Sequence, residues 1–292
     1  QRHTAVPMET RGLLAEWRDR RLTLYGAIKV PYSIRALLAK MLDLPEEAID
    51  VVENDAGSGF GVRGEFYPED FLIAFAARTL ARPVKWIEDR RENLMACNHS
   101  REQVHRVRAA IDADGRVLGL DDEFFHDQGA YVRTHGTRVA EGTASTLPGP
   151  YLIPAFRAVG HYRLTNKTPA ATYRAPGRFE TTFVREKLID AIAHQLKLDR
   201  IEVRKINAVT VKEMPFKRPL EALGEEIHFD SGDYHALLDK LMKYVEWEKL
   251  NKDLAARRAH RHADRDFARA QRGALVKALY PGFASGVGGA QQ

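Results

Sequence analysis

One glycine-rich loop constrains this chain more than any other part of its sequence. The segment GSGFGVRG lies one residue after the strand-like segment AIDVVEND and precedes a helix that Pro68 is expected to begin. Its four glycines are Gly57, Gly59, Gly61 and Gly64. Because glycine adopts positive φ angles without strain and lets the backbone approach a neighbour closely, the pattern predicts a strand, a tight loop and a helix in succession. The loop is the first candidate for a binding site.

The rest of the sequence alternates between helical and strand periodicity. Apolar spacing predicts helices over 33–42 and 179–196, and strands in VKWIED and in a hairpin that turns at Asp114 and Gly115. The helix after Pro68 carries an apolar stripe that is expected to face the core, made of Phe71, Leu72, Phe75, Ala76 and Leu80. This mixture predicts an α+β fold in which helices pack on twisted, mixed β-sheets.

Composition excludes several classes of protein. No stretch of the sequence approaches the run of about 18 apolar residues that a membrane-spanning helix needs. The only cysteine, Cys97, excludes an intrachain disulfide framework and any cysteine-rich zinc or iron–sulfur site built by this chain alone. No pair of histidines stands with carboxylates at a metal-binding spacing, so no metal site made of side chains is predicted.

Positive charge is concentrated at the C-terminal end. From Lys249 onward the sequence has nine Lys and Arg against three Asp, whereas the remainder is nearly neutral. Such a segment is either a solvated, frayed helix or a tail that binds a partner or nucleic acid. The absence of a recognisable motif and the near absence of aromatic residues favour the solvated helix over nucleic-acid binding.

The glycine loop has two interpretations when it is considered by itself. Gly59, Gly61 and Gly64 spell G-x-G-x-x-G after a predicted strand, which is the pattern of a Rossmann-type NAD site. Against that hypothesis, Glu53 and Asp55 precede the loop, where they would repel a pyrophosphate. Several residues also separate the last glycine from the helix whose N-terminus would have to hold the phosphates.

Four segments of the sequence, in order, resemble the large subunit of the molybdenum hydroxylases. GSGFGVRGEFYPEDF and TYRAPGRFETTFVREKLIDAIA are similar to two signatures that usually read GGGFG and YRGAGRPE in that family, and RHTAVPMETRG and NHSREQVHRVRAAIDADGRVLGL look like the same subunit. The resemblance covers 2–247. On it, the chain is identified as an internal segment of the molybdopterin-binding subunit in the family of xanthine dehydrogenase, aldehyde oxidase and carbon monoxide dehydrogenase.

The resemblance implies that the chain binds molybdopterin cytosine dinucleotide carrying molybdenum. The residues that would contact this cofactor are Gly57, Ser58, Gly59, Phe60, Gly61 and Arg174. Those that would line the substrate channel are Phe60, Arg174, Pro176 and Glu141. A guanidinium suits the expected role of Arg174, because its planar set of donors can orient a substrate carbonyl or carboxylate. The two turns are therefore expected to meet in one cleft.

Departures from the family pattern narrow the expected chemistry. Pro176 and Gly142 replace an aromatic residue and an arginine of purine-oxidising members, so an aldehyde or an N-heteroaromatic substrate is expected. By ungapped alignment Lys29 replaces a glutamine beside the metal, and Gly64 replaces an acidic channel residue. The family's glutamate base lies in a C-terminal half outside this chain. No catalytic residue is therefore assigned, and the isolated chain is expected to be inactive.

The resemblance also implies how the chain is divided into domains and which partners it has. A molybdopterin-binding domain, the first of two in the family and divisible into two subdomains, is expected over 1–248, with a weakly structured basic tail over 249–292. Iron–sulfur and FAD cofactors are expected on partner subunits, the missing half on a second polypeptide, and the cytoplasm is favoured over the periplasm. The alternatives are a truncated non-catalytic remnant, a cofactor-handling or partner-binding module with a basic tail, and the NAD-binding domain described above.

Overall fold

Short strands and helices alternate along the chain. In the computed structural model, which describes residues 2–222 and 224–260, the strands are β1 (His3–Thr4), β2 (Gly12–Arg18), β3 (Arg21–Gly26), β4 (Ile49–Glu53), β5 (Val84–Ile87), β6 (His99–Ser100), β7 (Gln103–Ile111), β8 (Val117–Gly129), β9 (Ala155–Leu164), β10 (Phe216–Ala222) and β11 (Glu225–Phe229). The helices are α1 (Pro31–Leu42), α2 (Pro68–Leu80), α3 (Arg90–Ala96), α4 (Gly136–Thr146), α5 (Arg178–Leu196), α6 (Arg200–Asn207) and α7 (Tyr234–Tyr244). A further helical stretch covers 247–260.

The first sheet has the strand order β4–β3–β2–β5, and only its β3–β4 pair is parallel. Helix α1 packs on β4, and α2 packs on β2 and β5. The core between them contains the fully buried side chains Leu22, Leu24, Ile34, Leu38 and Ile49. This mostly antiparallel order differs from the doubly wound parallel sheet of a dinucleotide-binding domain. The α+β prediction is confirmed.

Helix α2 begins at Pro68 as predicted, but the predicted apolar stripe is wrong at three of its five positions. Leu72, Phe75 and Leu80 are about half exposed, whereas Ala74 and Ala77 are fully buried. Small side chains let the helix axis approach the sheet closely, and the larger ones flank this contact. Phe71 is partly buried and stacks on Phe75 at a ring distance of 5.7 Å.

The second sheet consists of β7, β8 and β9, with β8 in the centre. Strands β7 and β8 form the antiparallel hairpin that Asp114 and Gly115 predicted, whereas β8 and β9 run parallel. Helix α4 packs on β9, and α5 packs on α4 and β7. The ring of Phe124 packs directly on Gly160. A Cβ atom at residue 160 would lie only 2.5 Å from this ring, so the contact requires glycine.

A buried histidine links this sheet to α4. His126 of β8 is fully buried, and its Nδ1 lies 3.1 Å from Nε2 of Gln103, which donates to the hydroxyl of Thr143 on α4 at 3.0 Å. Burial, with a smaller contribution from the charge of Arg2, lowers the pKa of His126 to about 4. The imidazole is therefore neutral in the folded protein at neutral pH.

The described residues fall into two compact units that divide after Gly232. In the second unit, α7 begins at a side-chain cap, because Asp233 Oδ1 accepts the N–H of Ala236 at 2.9 Å. The predicted domain limits, 1–248 and 249–292, stay predictions, and residues 261–292 of the predicted tail lie outside the described part. Among the described residues, no helix is both long and apolar enough to cross a membrane.

The buried His126 predicts a pH dependence of stability. Below about pH 6.5 the unfolded chain takes up a proton that the folded protein accepts only near its pKa of about 4. The free energy of unfolding should therefore fall with decreasing pH in this window, by up to about 3 kcal/mol from this residue. His126→Gln should remove that contribution to the slope, as measured by urea unfolding at a series of pH values.

The difference between the pH profiles of wild type and His126→Gln reports the contribution of the histidine alone. Burial raises the pKa of Asp70 to about 6, which gives a slope of opposite sign, since the folded state then binds the proton more tightly. That slope is present in both proteins and cancels in the comparison. Parallel pH profiles for wild type and His126→Gln would contradict the assignment.

Candidate functional site

The glycine loop follows β4 and ends in a 3₁₀ turn, Val62–Gly64. Three of its residues have left-handed backbone angles, with φ of 68° at Ser58, 52° at Phe60 and 100° at Gly61. Only glycine adopts this region freely, so Ser58 and Phe60 must be held there by their surroundings. Phe60 is 41% exposed, and the loop therefore presents an aromatic residue at the surface.

Three successive N–H groups of this loop are open. Within the described part of the chain, Gly59, Phe60 and Gly61 donate no backbone hydrogen bond, whereas the N–H of Gly57 donates to Glu9 Oε2 at 2.7 Å. Consecutive N–H groups in a left-handed turn form a concave set of donors that suits anionic or carbonyl acceptors. The loop can therefore bind a ligand rich in such acceptors.

Arg63 supports the loop from below. Its guanidinium is buried and donates to the carbonyl of Ser58 at 2.7 Å and to the carbonyl and carboxylate of Glu9 at 2.9 and 3.1 Å. Gly59 lies directly against this side chain, since a Cβ atom at that position would be 3.1 Å from Arg63 Cγ and Cδ. The path of the loop is thus fixed by a buried cation that is bound largely to main-chain oxygens.

The second turn, residues 172–177, is in direct contact with the glycine loop. The N–H of Arg174 donates to the carbonyl of Phe60 at 2.7 Å. A Cβ atom on Gly61 would lie 2.9 Å from Thr172 Cγ2, so the two backbones approach as closely as glycine permits. The Arg174 side chain is exposed and forms no ion pair within the described residues. The structure therefore brings Phe60 and Arg174 to one surface.

Arg101 holds the second turn in place. It donates to the carbonyls of Tyr173 and Ala175, both at 3.3 Å, and to that of Arg174. Its guanidinium lies over the rings of Tyr173 and Phe179 and pairs with Glu180 at 3.1 Å. Both charged side chains are about 95% buried. The hydrogen bond to its carbonyl helps to hold Ala175 in a left-handed conformation, with φ of 59°.

Glu65 joins both turns to the start of α4. Its buried carboxylate accepts the hydroxyl of Thr134 at 2.7 Å, the N–H of His135 at 3.0 Å and the N–H of Thr172 at 3.2 Å. Burial of a carboxylate is tolerated when several donors satisfy it. Glu65 directly follows the glycine loop in the sequence. Its side chain thus connects that loop to the second turn and to α4.

A second buried connection runs through Tyr67 and Asn98. The Tyr67 hydroxyl lies 2.9 Å from the carbonyl of Val62 and also contacts the side-chain oxygen of Asn98, whose Nδ2 donates to the carbonyl of Thr172 at 2.8 Å. The guanidinium groups of Arg11 and Arg133 lie 3.9 and 4.4 Å from the ring centre of Tyr67. Burial raises the pKa of Tyr67 well above its usual value, so its hydroxyl keeps its proton.

Sequence reasoning assigned no role to the side chains that hold the turns. Arg63 lies within the first motif, and Asn98 and Arg101 lie within the segment NHSREQ that resembles the same family. A signal was present, because charged or amide residues next to predicted irregular loops can satisfy loop backbone groups. The contacts themselves join residues that are far apart in the sequence, 74 positions for Asn98 with Thr172 and 79 for Arg101 with Glu180, so local sequence patterns do not reveal them.

The remaining predicted channel residues lie where α4 meets the second turn. A Cβ atom on Gly142 would lie 3.1 Å from the carbonyl oxygen of Pro176, and one on Gly177 would lie 2.5 Å from the carbonyl carbon of Gly142. Glu141, next to this contact, is exposed. Gly142 is therefore a packing position, and a larger residue there would displace α4 from the turn.

Lys29 lies at the other end of the glycine loop. Its N–H donates to the carbonyl of Arg63 at 3.4 Å, and its Cδ is 3.6 Å from where a Cβ atom of Gly64 would be. The side chain is exposed and has no ion-pair partner among the described residues. The two positions that departed from the family pattern are thus neighbours, and together they place a positive charge beside the loop.

Comparison with known proteins identifies the fold and the family. The family described as the molybdopterin cofactor-binding domain matches residues 1–208. The chain belongs to the molybdenum hydroxylase family. It is 41% identical over 260 residues to subunit gamma of the 6-hydroxypseudooxynicotine dehydrogenase complex of Paenarthrobacter nicotinovorans, covering 87% of this chain and 33% of that protein.

Two further similarities place this molybdopterin-binding domain among molybdenum oxidoreductases. It is 36% identical over 251 residues to the nicotine 6-hydroxylase large subunit of the same organism, covering 84% of this chain and 30% of that one. It superposes on quinoline 2-oxidoreductase from Pseudomonas putida 86 with a TM-score of 0.82 and 34% identity, over 89% of this chain and 33% of that structure. The chain spans about a third of the length of these relatives.

The buried pair below the second turn gives a stability prediction for this domain. Arg101→Met leaves the carboxylate of Glu180 buried without a counter-ion and three loop carbonyls without a donor. We expect the free energy of unfolding to fall by about 3–5 kcal/mol, measured by urea denaturation.

A matched control uses an exposed ion pair. Arg21 pairs with Asp50 at 2.9 Å, and both side chains are about half exposed. Arg21→Met should therefore cost at most about 1 kcal/mol. Equal losses for the two variants would show that Arg101 has no special part in holding the turn.

Proposed function

We propose that the chain forms one wall of a molybdenum cofactor site in a larger hydroxylase that oxidises an N-heteroaromatic compound with water as the oxygen source. The observation that carries this proposal is the set of open N–H groups at Gly59, Phe60 and Gly61, held in contact with the turn of Arg174. An ordinary surface turn needs neither strained non-glycine residues nor buried cations below it. A cofactor rich in hydrogen-bond acceptors needs donors that are free and fixed.

Molybdopterin cytosine dinucleotide fits the donors that this chain presents. The pterin and phosphate groups supply acceptors, and the bound molybdenum supplies a two-electron oxidation. The chain's own part is to bind: the N–H groups of Gly59, Phe60 and Gly61 would hold acceptor atoms, and Gly59 and Gly61 allow close approach because they lack Cβ. Lys29, beside Gly64, would add a positive charge next to anionic groups.

Two exposed side chains would orient the substrate. Phe60 offers an apolar ring surface against a flat heterocycle, and Arg174 offers a charged donor to a ring nitrogen or carbonyl. Glu141 and Pro176, on either side of the α4 contact, would border the same channel. The relatives named for nicotine and quinoline support an N-heteroaromatic over an aldehyde.

Proton and electron transfer would involve parts outside this chain. Hydroxylation joins a substrate carbon to an oxygen from water and releases two protons and two electrons. The base is expected on the polypeptide that carries the rest of the large subunit, and the electrons would pass to iron–sulfur and FAD groups on partner subunits, most simply in the cytoplasm. The names "complex subunit gamma" and "large subunit" of two relatives support such an assembly. The isolated chain would be inactive.

The substrate class can be tested on the native complex that contains this chain. Dye reduction should be supported by quinoline and by nicotine, and xanthine should give no turnover, because Gly142 and Pro176 offer neither a cation nor an aromatic face to a purine. Arg174→Ala should lower kcat/KM for the N-heteroaromatic by about tenfold or more. Turnover of xanthine at a rate comparable to quinoline would contradict the proposed substrate class.

Cofactor binding can be tested separately from turnover. Gly61→Val should reduce the molybdenum content of the complex and the cytidine monophosphate that acid hydrolysis releases, because the added side chain meets Thr172 and φ of 100° disfavours valine. Gly119→Ala, whose Cβ would lie at ordinary contact distances of at least 3.7 Å, is the control and should keep both.

Thermal unfolding distinguishes a local from a global effect. If the cofactor-free Gly61→Val complex unfolds at the same Tm as the cofactor-free wild type, while its molybdenum content after assembly is lowered, the loop has its proposed role. If the Gly61→Val complex contains as much molybdenum and nucleotide as the wild type, the proposal is wrong.

A further inference from the structure

A cleft opens between the end of α4, the start of α5 and the β10–β11 hairpin. Its walls include two arginines, Arg178 and Arg218, and two apolar side chains of β11, Ile227 and Phe229. It contains none of the residues assigned above to the cofactor or to the substrate channel. The cleft is therefore distinct from the proposed cofactor site and substrate channel.

Arg218 is a buried cation with no counter-ion in the described part of the chain. Only 4% of the residue is exposed, and its guanidinium donates to the carbonyls of Gly149 and Tyr151 at 3.0 and 2.6 Å. Its buried Nε has no hydrogen-bond partner, and no carboxylate pairs with it among residues 2–222 and 224–260. Burial, together with the positive charge of Arg185, lowers its pKa to about 10, so it stays charged at neutral pH. A buried charge with only neutral partners is a position that an anion would stabilise.

The remaining charged residues of the cleft leave it with a net positive charge. Arg178, in the first turn of α5, is exposed and forms no ion pair in the described part of the chain. Glu226 is neutralised by contacts with Lys217 and with His228, whose Nε2 lies 2.9 Å from the carboxylate. Glu225 remains as a negative charge beside the end of the hairpin, where β10 and β11 meet. Arg178 and Arg218 together with Glu225 leave the cleft a net charge of about +1, which one singly charged anion would neutralise.

The available donors indicate a carboxylate. Two hydroxyls border the cleft, but Ser145 already donates to the carbonyl of Glu141 at 3.0 Å and Thr146 to that of Gly142 at 2.6 Å. The guanidinium groups are therefore the donors left for a ligand, and their planar geometry matches the two oxygens of a carboxylate. The side chains of Ile227 and Phe229 would contact an apolar body attached to it.

We propose that this cleft binds a small organic carboxylate, with its two oxygens between Arg178 and Arg218 and its apolar part against Ile227 and Phe229. The ligand would place a negative charge beside the uncompensated Arg218. Because Arg218 lies in β10 and Arg178 directly follows the second turn, binding would also join the hairpin to the start of α5.

Isothermal titration of the full 292-residue chain tests this with benzoate as the probe. Benzoate should bind saturably. Benzamide, the neutral molecule of similar shape, should bind about tenfold more weakly or worse, since it loses the charge-assisted hydrogen bonds. Inorganic phosphate should bind more weakly than benzoate. Absence of saturation below about 50 mM benzoate, or equal affinity for benzamide, overturns the proposal.

Variants locate the site. Arg178→Gln should weaken benzoate binding about fivefold to tenfold, because one of two charged donors is lost. Arg82→Gln, which removes another exposed arginine without an ion pair in the described residues, should leave the affinity unchanged. Arg218 is kept because its removal would leave the carbonyls of Gly149 and Tyr151 without their donor. If Arg178→Gln binds benzoate like wild type, or if phosphate binds more tightly than benzoate, the assignment of the cleft is wrong.

Discussion

Buried charges that hydrogen-bond to loop backbone are the interactions on which the candidate site depends. Irregular turns present carbonyl and N–H groups that no strand or helix satisfies, and these groups must find partners wherever water is excluded. Arg63 lies under the glycine loop, Arg101 under the second turn, and Glu65 between them. The charges of Arg63 and Glu65 are offset mainly by main-chain dipoles, whereas Arg101 also pairs with Glu180. The shape of the site and the burial of these side chains therefore stabilise each other.

This arrangement explains how donors can be both free and fixed. The N–H of Gly57 and the carbonyls of Ser58 and Phe60 are engaged by Glu9, Arg63 and Arg174. The intervening N–H groups are open because the loop is already held through its other polar atoms. Such donors need little reorganisation when a ligand arrives, which is the property that makes preorganised dipoles effective. The left-handed angles of Ser58 and Phe60 are the local strain that accompanies this state.

The parts of the fold that follow from local chemistry could be predicted from the sequence. The start of α2 at Pro68, strand β5 and the hairpin at Asp114 and Gly115 are such parts, and the structure confirms them. The buried face of α2 could not be predicted, because its small residues approach the sheet while Leu72 and Phe75 are left partly exposed. The resemblance indicated that two distant turns meet. It did not indicate what holds them, because Arg101 and Asn98 act through contacts that only the tertiary fold creates.

The geometry of the turns also limits what this segment can do by itself. Phe60 and Arg174 are exposed, and a hydrogen bond formed in contact with water contributes only about 1 kcal/mol net. Three open N–H groups and one guanidinium would therefore hold a large cofactor weakly until further protein excludes water from it, which strengthens each polar contact. Since the chain spans about a third of its relatives, the rest of such a subunit would supply that cover. Cofactor binding and closure by the remaining protein would then be thermodynamically linked, each stabilising the other.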